Sequence, residues 1–360
     1  MNPRPLTVVL IVPTGVGASI GGFAGDALPV ARAIAQISDT LITHPNVLNG
    51  AQLYWPIPNA LYVEGYALDK FAQGCWGLQP VHQNRIGLIL DSGIEPDLQL
   101  RHLQAVDASR ATLGLNITDY VLTDRPLNVE LRMSESGASW GTIANPDSLL
   151  RAAEKLITQA KVEAIAVVAR FPDDEGSQAL ANYRHGKGVD PLAGAEAVIS
   201  HLIVRTFKIP CAHAPALLPL PLDPHLSPRS AAEEIGYTFL SCVLAGLSKA
   251  PQFTVQKAQE NSQLSITADR VDAVVIPATA CGGSAILSLS GRSTVQIIAV
   301  GDNKTQMQAT PEKLGIKALQ VNSYLEAIGV LVALRAGISP ASLSADISPL
   351  RYLSNSTKQI

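Results

Sequence analysis

The sequence predicts an α/β protein built on mainly parallel sheet flanked by helices. Three observations support this. Apolar segments of strand length recur along the chain, and segments with apolar residues at helical spacing alternate with them. Several of the strands are apolar at every position, as in a parallel sheet covered on both faces. The strands are predicted at 6–12, 39–43, 85–91, 164–169, 272–277 and 295–300. We therefore expect a Rossmann-like architecture in two lobes, 1–145 and 146–360.

Capping residues and a proline indicate where the helices between these strands begin. Asp26 is a candidate cap for the first helix, Asn145-Pro146 opens another, and Ser323 with Glu326 forms a capping box. Residues 251–269 are polar and are predicted to form a surface excursion. The helices are predicted at 27–37, 98–113, 146–160, 192–206, 228–247 and 323–337.

Composition excludes several classes of protein. The chain has 360 residues, is 47% hydrophobic and 16% charged, and carries a net charge of −3. It is therefore core-rich, and it has little electrostatic support for binding nucleic acid or an anionic membrane. No apolar segment approaches the roughly 18 residues of a membrane helix. We interpret residues 6–12 as a first strand rather than a signal peptide.

The four cysteines are widely spaced and form no C-x-x-C motif. They are Cys75, Cys211, Cys242 and Cys281. A disulfide framework is therefore not expected, and a reducing compartment such as the cytoplasm fits better.

A glycine-rich loop at 12–26 follows the first strand and precedes the first helix. Such a loop can offer backbone N–H groups to a phosphate or carboxylate. The alternative is a tight turn that allows close packing of helix and strand, and the sequence leaves both open. The candidate ligand-binding residues here are Gly15, Gly17, Ser19, Gly21, Gly22 and Asp26.

Nucleotide motifs are incomplete. Ile20 stands where a dinucleotide fingerprint has its third glycine, and the second strand ends at Thr43-His44 instead of an acid. NAD is therefore disfavoured. ATP is disfavoured too, because no glycine–lysine segment has the Walker A spacing.

Cys281 is the first candidate catalytic residue. It follows a buried strand and precedes Gly282-Gly283-Ser284 and a predicted helix, whose N-terminus can lower a thiol pKa while its amides bind an anion. A buried structural cysteine is the alternative. His44, Lys304 and Asp302 also follow strand ends and are candidates for proton transfer.

Charged loops supply the remaining candidates. Arg184, His185 and Lys187 lie among glycines and could clamp an anionic ligand, or form a solvated loop. Asp173 and Asp174 could hold Mg²⁺. The histidines show no metal-binding motif, so no dedicated metal site is predicted. Aromatic residues concentrated between 54 and 76 indicate a packed subdomain, or else an aromatic wall or an oligomer interface.

Two resemblances bear on function. The segments 13–26, 43–51, 183–195 and 301–305 resemble an uncharacterised family of cyanobacteria and plastids, which implies a cytoplasmic or stromal location and brings no activity. The segment 272–278 with Cys281 and 295–300 is similar to the second half of aspartate/glutamate racemase-like enzymes. There a strand delivers a cysteine to an α-carbon. In this chain Cys281 is followed by Gly-Gly instead of Asn-Thr or Thr-His, and Cys211 would have to be the second cysteine.

These observations favour a metabolic enzyme that binds a small anionic molecule at the carboxyl ends of the strands. A cysteine-dependent racemase or lyase centred on Cys281 is one alternative. A non-catalytic metabolite-binding or regulatory protein is the other.

Overall fold

Two parallel sheets form the centre of the protein. The structure is a computed structural model that describes residues 4–49, 55–173, 176–235, 239–255, 265–350 and 352. Antiparallel pairing joins β4 (Trp76–Gln79) to β11 (Gln252–Val255) and β7 (Val129–Met133) to β8 (Ser139–Ile143). The strands are β1 Thr7–Leu10, β2 Thr40–Thr43, β3 Ala60–Tyr62, β4 Trp76–Gln79, β5 Ile86–Leu90, β6 Ile117–Leu122, β7 Val129–Met133, β8 Ser139–Ile143, β9 Ala164–Arg170, β10 Cys211–Ala216, β11 Gln252–Val255, β12 Ala273–Pro277, β13 Gln296–Val300 and β14 Ala318–Val321.

Both sheets have the strand order of a doubly wound α/β fold. The six-stranded sheet runs β3-β2-β1-β12-β13-β14, and all its pairs are parallel. Numbered within the sheet, this is the 3-2-1-4-5-6 order of Rossmann folds. The four-stranded sheet runs β6-β5-β9-β10, the order 2-1-3-4, and it is also parallel. The predicted α/β class is confirmed.

The sheets do not follow the predicted division of the chain at residue 145. The first sheet takes strands from 7–62 and from 273–321, while the second takes strands from 86–122 and 164–216. Each sheet therefore pairs strands from both sides of residue 145. The lobe that contains the second sheet is inserted between the two halves of the first.

Helices cover both faces of both sheets. They are α1 Leu28–Ile37, α2 Pro45–Leu48, α3 Gly65–Ala72, α4 Pro96–Leu113, α5 Pro146–Lys155, α6 Gln178–Arg184, α7 Ala193–Phe207, α8 Pro228–Ile235, α9 Leu240–Ser248, α10 Ser284–Ser290, α11 Pro311–Leu314 and α12 Tyr324–Arg335, with a π-helical turn Leu156–Ala160 and 3₁₀ turns Ala268–Arg270 and Pro340–Leu343. No helix in these described ranges combines the length and apolar character needed to span a membrane.

Side chains alternate between the two faces of each strand, and the apolar core is accordingly divided into two clusters. Leu10 of β1 and Leu88 of β5 belong to one cluster, while Val9 and Ile89 belong to the other. Because successive strand residues point to opposite faces, each cluster covers one face of both sheets. The two sheets therefore lie side by side between shared layers of helices.

Three local expectations were wrong. Asp26 does not cap α1, which has Ala27 as its N-cap; its carboxylate instead accepts from the Gly21 N–H at 2.5 Å. The helix predicted at 228–247 is two helices, α8 and α9. Residues 252–255 form strand β11 within the predicted polar excursion, whose residues 256–264 lie outside the described ranges.

The aromatic residues between 55 and 76 mainly pack inside the protein. Trp76 stacks on Phe253 with ring centroids 5.3 Å apart, and Phe71 is fully buried. Trp55 is exposed, with the Arg32 guanidinium 3.5 Å above its ring. This part of the chain therefore supports the packed-subdomain interpretation; Tyr54 lies outside the described residues.

Gly194 allows helix α7 to approach the β7–β8 hairpin. A Cβ at Gly194 would lie 2.2 Å from Trp140 Cα and 2.6 Å from the Ser139 carbonyl oxygen. We expect Gly194→Ala to lower the free energy of unfolding by about 3 kcal/mol or more, since backbone atoms must move. Gly329→Ala in α12 meets nothing within 4 Å. It should raise the free energy of unfolding by about 0.5–1 kcal/mol. Equal denaturation midpoints for the two variants would contradict this account.

Candidate active site

A cavity of about 1040 Å³ lies at the carboxyl ends of both sheets. This volume is large enough for a small organic molecule. Helix α7 and the proline-rich segment 217–226 complete its walls. The residues that line it within a few positions of a strand end include Ile11, His44, Glu64, Pro172, Leu217 and Ala280.

The glycine-rich loop uses its N–H groups within the protein. Ser19 N–H donates to the Lys304 carbonyl oxygen at 3.0 Å, and Ile20 N–H donates to Asn303 Oδ1 at 2.7 Å. With the Gly21 N–H on Asp26, three successive amides are occupied. The expected anion-binding loop is therefore not supported at these positions.

Close packing accounts for the glycines of this loop. Gly15 and Gly17 have φ of +68° and +67°. A Cβ at Gly15 would lie 2.5 Å from Ser139 Oγ, and one at Gly22 would lie 2.4 Å from the Ala18 carbonyl oxygen. The alternative interpretation of the loop, as a tight turn, agrees with these contacts.

The side chain of Asn303 binds the glycine-rich loop, whereas the sequence analysis names its neighbours Asp302 and Lys304 as candidate residues. It is buried, accepts from Ile20 N–H and donates to the Ile20 carbonyl oxygen at 2.9 Å. Asp302 and Lys304 are exposed, and neither lines the cavity. Their predicted role in proton transfer is therefore not supported by their positions.

Cys281 is buried outside the cavity lining. Its Sγ lies 3.7 Å from the carbonyl oxygens of Pro277 and Ala278, and burial raises the pKa of the thiol to about 11. A thiol with a raised pKa is the opposite of an activated thiolate. The neighbouring Gly282, Gly283 and Ser284 do line the cavity, at the start of the seven-residue helix α10.

Arg184 and His185 each contact a carboxylate of the protein. The Arg184 Nε atom lies 2.6 Å from Glu234 Oε1, and His185 Nε2 lies 2.9 Å from Asp223 Oδ2. Lys187 is exposed and does not line the cavity. Arg184 is thus held by a protein carboxylate, instead of being available to an anionic ligand.

The predicted magnesium site is not supported. Asp173 accepts from Arg170 Nη1 at 3.0 Å and from Leu218 N–H at 3.1 Å. Hydrogen bonding to Arg170 lowers the Asp173 pKa, so it is an ion-paired carboxylate. Asp174 lies outside the described ranges. Within those ranges, no group of three or more His, Cys, Asp or Glu residues could hold a metal ion.

His44 is the predicted catalytic residue that does line the cavity. Its Nε2 accepts from Val12 N–H at 3.0 Å, and burial lowers the pKa of the imidazole to about 4. A neutral imidazole that accepts through Nε2 carries its proton on Nδ1. His44 therefore offers a neutral N–H donor.

The buried carboxyl group of Glu64 lies beside the imidazole of His201, whose side chain is 40% exposed, and the sequence did not reveal this pair. Glu64 caps α3, its Oε2 accepting from Tyr66 N–H at 2.8 Å, while Oε1 lies 3.0 Å from His201 Nε2. Burial raises the pKa of Glu64 to about 8 and lowers that of His201 to about 4. Both groups are therefore neutral near pH 7. A proton on Glu64 Oε1 would lie within hydrogen-bond distance of His201 Nε2.

Ser200 connects this pair to a second imidazole. It is buried on α7, and its hydroxyl is 3.2 Å from His213 Nδ1 and hydrogen-bonds to Glu64. His213 Nε2 in turn lies 3.6 Å from Glu196 Oε2. A continuous set of polar groups thus runs along one wall of the cavity.

The far end of this wall is acidic. Asp190, Glu196 and Glu233 all line the cavity, and the Tyr183 hydroxyl donates to Glu233. Burial, followed by the charge of Glu196, raises the pKa of Asp190 to about 7. Burial also raises the pKa of Glu233 well above its usual range, and the charge of Asp190 adds to the effect. Asp190 is thus partly protonated near neutral pH, and burial favours the protonated form of Glu233.

One sequence signal could have identified this wall. Glu196, Ser200 and His201 lie within one and a half turns of a predicted helix, so their side chains share a face or adjoin it. No comparable local signal connects Glu64 or His213 to them, because these two come from other elements.

The fold and the site together define a class: a two-sheet α/β protein with a cavity of substrate size at the carboxyl ends of its strands. The chain belongs to the family described as Protein of unknown function (DUF3326), which matches residues 7–344. A protein described as an uncharacterized lipoprotein, from Synechococcus sp. (strain ATCC 27144 / PCC 6301 / SAUG 1402/1), is 60% identical over 359 residues, which cover 100% of this chain and 99% of that protein. The resemblance to an uncharacterised cyanobacterial family is confirmed. No solved structure matches.

Replacement of Glu64 should change how stability depends on pH. The folded protein keeps a proton on Glu64 up to about pH 8, whereas the unfolded chain releases it near 4.5. Wild type should therefore lose stability relative to Glu64→Gln as pH rises through this interval, by on the order of 3 kcal/mol. The glutamine can still donate to His201 and accept from Tyr66 N–H.

Urea unfolding at about pH 5.5 and about pH 8 measures this difference. Asp107→Asn is the control, because Asp107 is exposed on α4. If the difference in free energy of unfolding between wild type and Glu64→Gln is the same at both pH values, the assignment of a proton to Glu64 is wrong.

The cysteines should differ in reactivity. Cys75 is exposed, whereas Cys281 is buried with a raised pKa. We expect iodoacetamide to label Cys75 in the folded protein and to label Cys281 only after denaturation, since the thiolate is the reactive form. Peptide mass spectrometry measures both sites. Equal labelling rates in the folded state would restore the activated-thiolate hypothesis.

Proposed function

We propose that this protein is an enzyme that moves protons to and from a small organic molecule in the cavity between the two sheets. The observation that carries the proposal is the Glu64–His201 pair, in which a buried carboxyl group with a raised pKa lies 3.0 Å from an imidazole with a lowered pKa at the cavity wall. Perturbed titratable groups in a cleft are typical of active sites.

The pair suits general acid–base catalysis. The pKa of Glu64, about 8, is close to neutral pH, which lets the group both give and regain a proton. His201 accepts the proton, and Ser200 and His213 offer a second route toward Glu196. His44 would donate its Nδ1–H to an oxygen of the bound molecule.

The cavity does not favour the anionic ligand expected from the sequence. Arg184 is the one arginine among the described lining residues, no lysine lines the cavity, and both Arg184–Glu234 contacts measure 3.0 Å or less. A phosphate would therefore meet carboxyl groups without an available arginine or lysine among the described lining residues.

Cysteine chemistry is also a poorer explanation. Neither Cys281 nor Cys211 lines the cavity, and burial raises the pKa of both thiols. A racemase or lyase that used two thiolates would need both groups at the bound molecule. We therefore assign proton transfer to carboxyl and imidazole groups.

We propose the cytoplasm or plastid stroma as the location. All four cysteines are free, which fits a reducing compartment. The apolar segment at the start of the chain contributes β1, whose four residues are buried in the middle of the first sheet. The relative's description as a lipoprotein makes membrane fractionation the direct test of this assignment.

Deuterium incorporation tests the catalytic proposal without a known substrate. Wild-type protein is incubated in D₂O with a small-molecule extract of cyanobacterial cells, and masses are compared with a no-enzyme sample. Proton transfer at carbon should raise the mass of at least one compound, or convert it to a product. Glu64→Gln should slow this change by at least about a hundredfold, as loss of a general acid–base group does.

Asp107→Asn is again the matched control and should behave as wild type. If no compound changes mass or disappears, or if Glu64→Gln is as active as wild type, the proposal is wrong. Binding of a compound without any conversion would instead favour the alternative of a non-catalytic metabolite-binding protein.

A further inference from the structure

The carboxyl groups that line the cavity are already paired within the protein. Asp190 accepts from Leu192 N–H at 2.8 Å. Glu234 binds Arg184, the one arginine among the described lining residues. The other lining carboxyl groups in the described ranges likewise have a protein donor or an imidazole beside them. A charged group on a ligand would have to compete with these partners, and burying an unpaired charge is costly.

The proline-rich segment 217–226, which we call the strap, presents an apolar face to the cavity. Every third residue of the strap is partly buried, and the residues between them are exposed. A repeat of three residues is that of a polyproline II helix, which prolines favour and which forms no internal hydrogen bonds. The partly buried residues are Leu217, Leu220, Asp223 and Leu226. The strap therefore lies along the cavity with three leucines on its inner side.

Polar contacts with two neighbouring segments attach the strap to the rest of the protein. Leu218 N–H donates to Oδ1 of Asp173, which follows β9, at 3.1 Å. Nη2 of Arg184, at the end of α6, donates to the Pro221 carbonyl oxygen at 2.7 Å. The strap belongs to no helix or strand. A change in its position would therefore break side-chain contacts without disrupting a helix or a sheet.

Leu222 lies on the strap at the opening of the cavity and is not buried by the protein. It is 101% exposed although it lines the cavity, and Leu218 beside it is 47% exposed. A single exposed leucine is common on a protein surface. These two leucines, however, adjoin the inner leucines of the strap at a cavity opening. A bound apolar molecule with the strap closed over it would remove both side chains from water.

We propose that the cavity binds an uncharged, mainly apolar molecule and that the strap closes over it, so that the Leu222 side chain becomes buried. The inference rests on the proposed function, because it names the substrate class of the same cavity. The wall around Glu64 and His201 would contact a hydroxyl or carbonyl oxygen at one end of the molecule. The strap would contact the hydrocarbon part.

Nile red, an uncharged dye whose fluorescence rises in apolar surroundings, tests the class of ligand. Wild-type protein is titrated with the dye, which should bind one molecule per chain. Octanol, octanoate and octylamine then compete for the site at neutral pH. We expect octanol to displace the dye at a concentration at least about tenfold lower than either charged compound, since neither charge would find a free partner in the cavity.

Leu222→Ala tests the closure of the strap. Because Leu222 is fully exposed in this structure, its replacement should leave Tm unchanged and yet weaken the binding of Nile red and octanol about tenfold. Leu350→Ala is the matched control, since Leu350 is 102% exposed and does not line the cavity, and it should alter neither Tm nor binding. Saturating octanol should also slow hydrogen exchange of the strap amides in wild type.

Each half of the inference has an outcome that overturns it. If Nile red does not bind, or if octanoate or octylamine displaces it more tightly than octanol, the cavity does not take an uncharged apolar molecule. If the two leucine variants bind octanol equally well, the strap does not close over the ligand.

The two proposals can fail separately. If octanol binds as expected but no compound exchanges deuterium, the catalytic proposal is wrong and the apolar ligand class stands. If deuterium exchange occurs on a charged compound without an apolar part, and Nile red does not bind, the ligand class is wrong and the catalytic proposal stands.

Discussion

The parallel pairing of β1 with β12 is the constraint on which the rest of the structure depends. It places Val9 beside Val274 and so closes the first sheet across the inserted lobe. Asp272 supports this pairing by accepting from Thr7 N–H at 2.8 Å and by pairing with Arg4. After these two strands the chain turns to opposite faces, because α1 belongs to one core cluster and α10 to the other. This divergence opens a crevice at the switch point of the sheet, and the cavity extends from it.

The same burial that stabilises the sheets sets the chemistry of the cavity. At the rim, guanidinium groups hold carboxylates in their ionised form, as Arg170 does by lowering the pKa of Asp173. Deeper in the wall, Glu64 and Asp190 have no such partner, and burial raises their pKa values toward neutrality. Ion pairing and burial thus shift carboxyl pKa values in opposite directions within one cavity, and the proposed acid–base function depends on the groups raised by burial.

Local patterns predicted the elements well and the site poorly. The strand at 164–169 and the capping box at Ser323 appear in the structure as β9 and α12, because apolar strands and helix caps depend on residues close in sequence. Asp26 illustrates the limit. Its sequence position is that of a cap, yet its carboxylate binds Gly21 N–H and Arg229, a residue far along the chain.

The sequence by itself determined the α/β class, the positions of most strands and helices, and the carboxyl ends of the strands as the place for polar groups. Only the tertiary structure decided how the strands divide into two sheets and which polar groups meet. Glu64, His201 and His213 come from a helix cap, a helix face and a strand, and no spacing in the chain relates them. Burial raises the pKa of Glu64 and lowers that of His201. Burial is a property of the assembled fold, since it depends on the neighbours that long-range packing supplies.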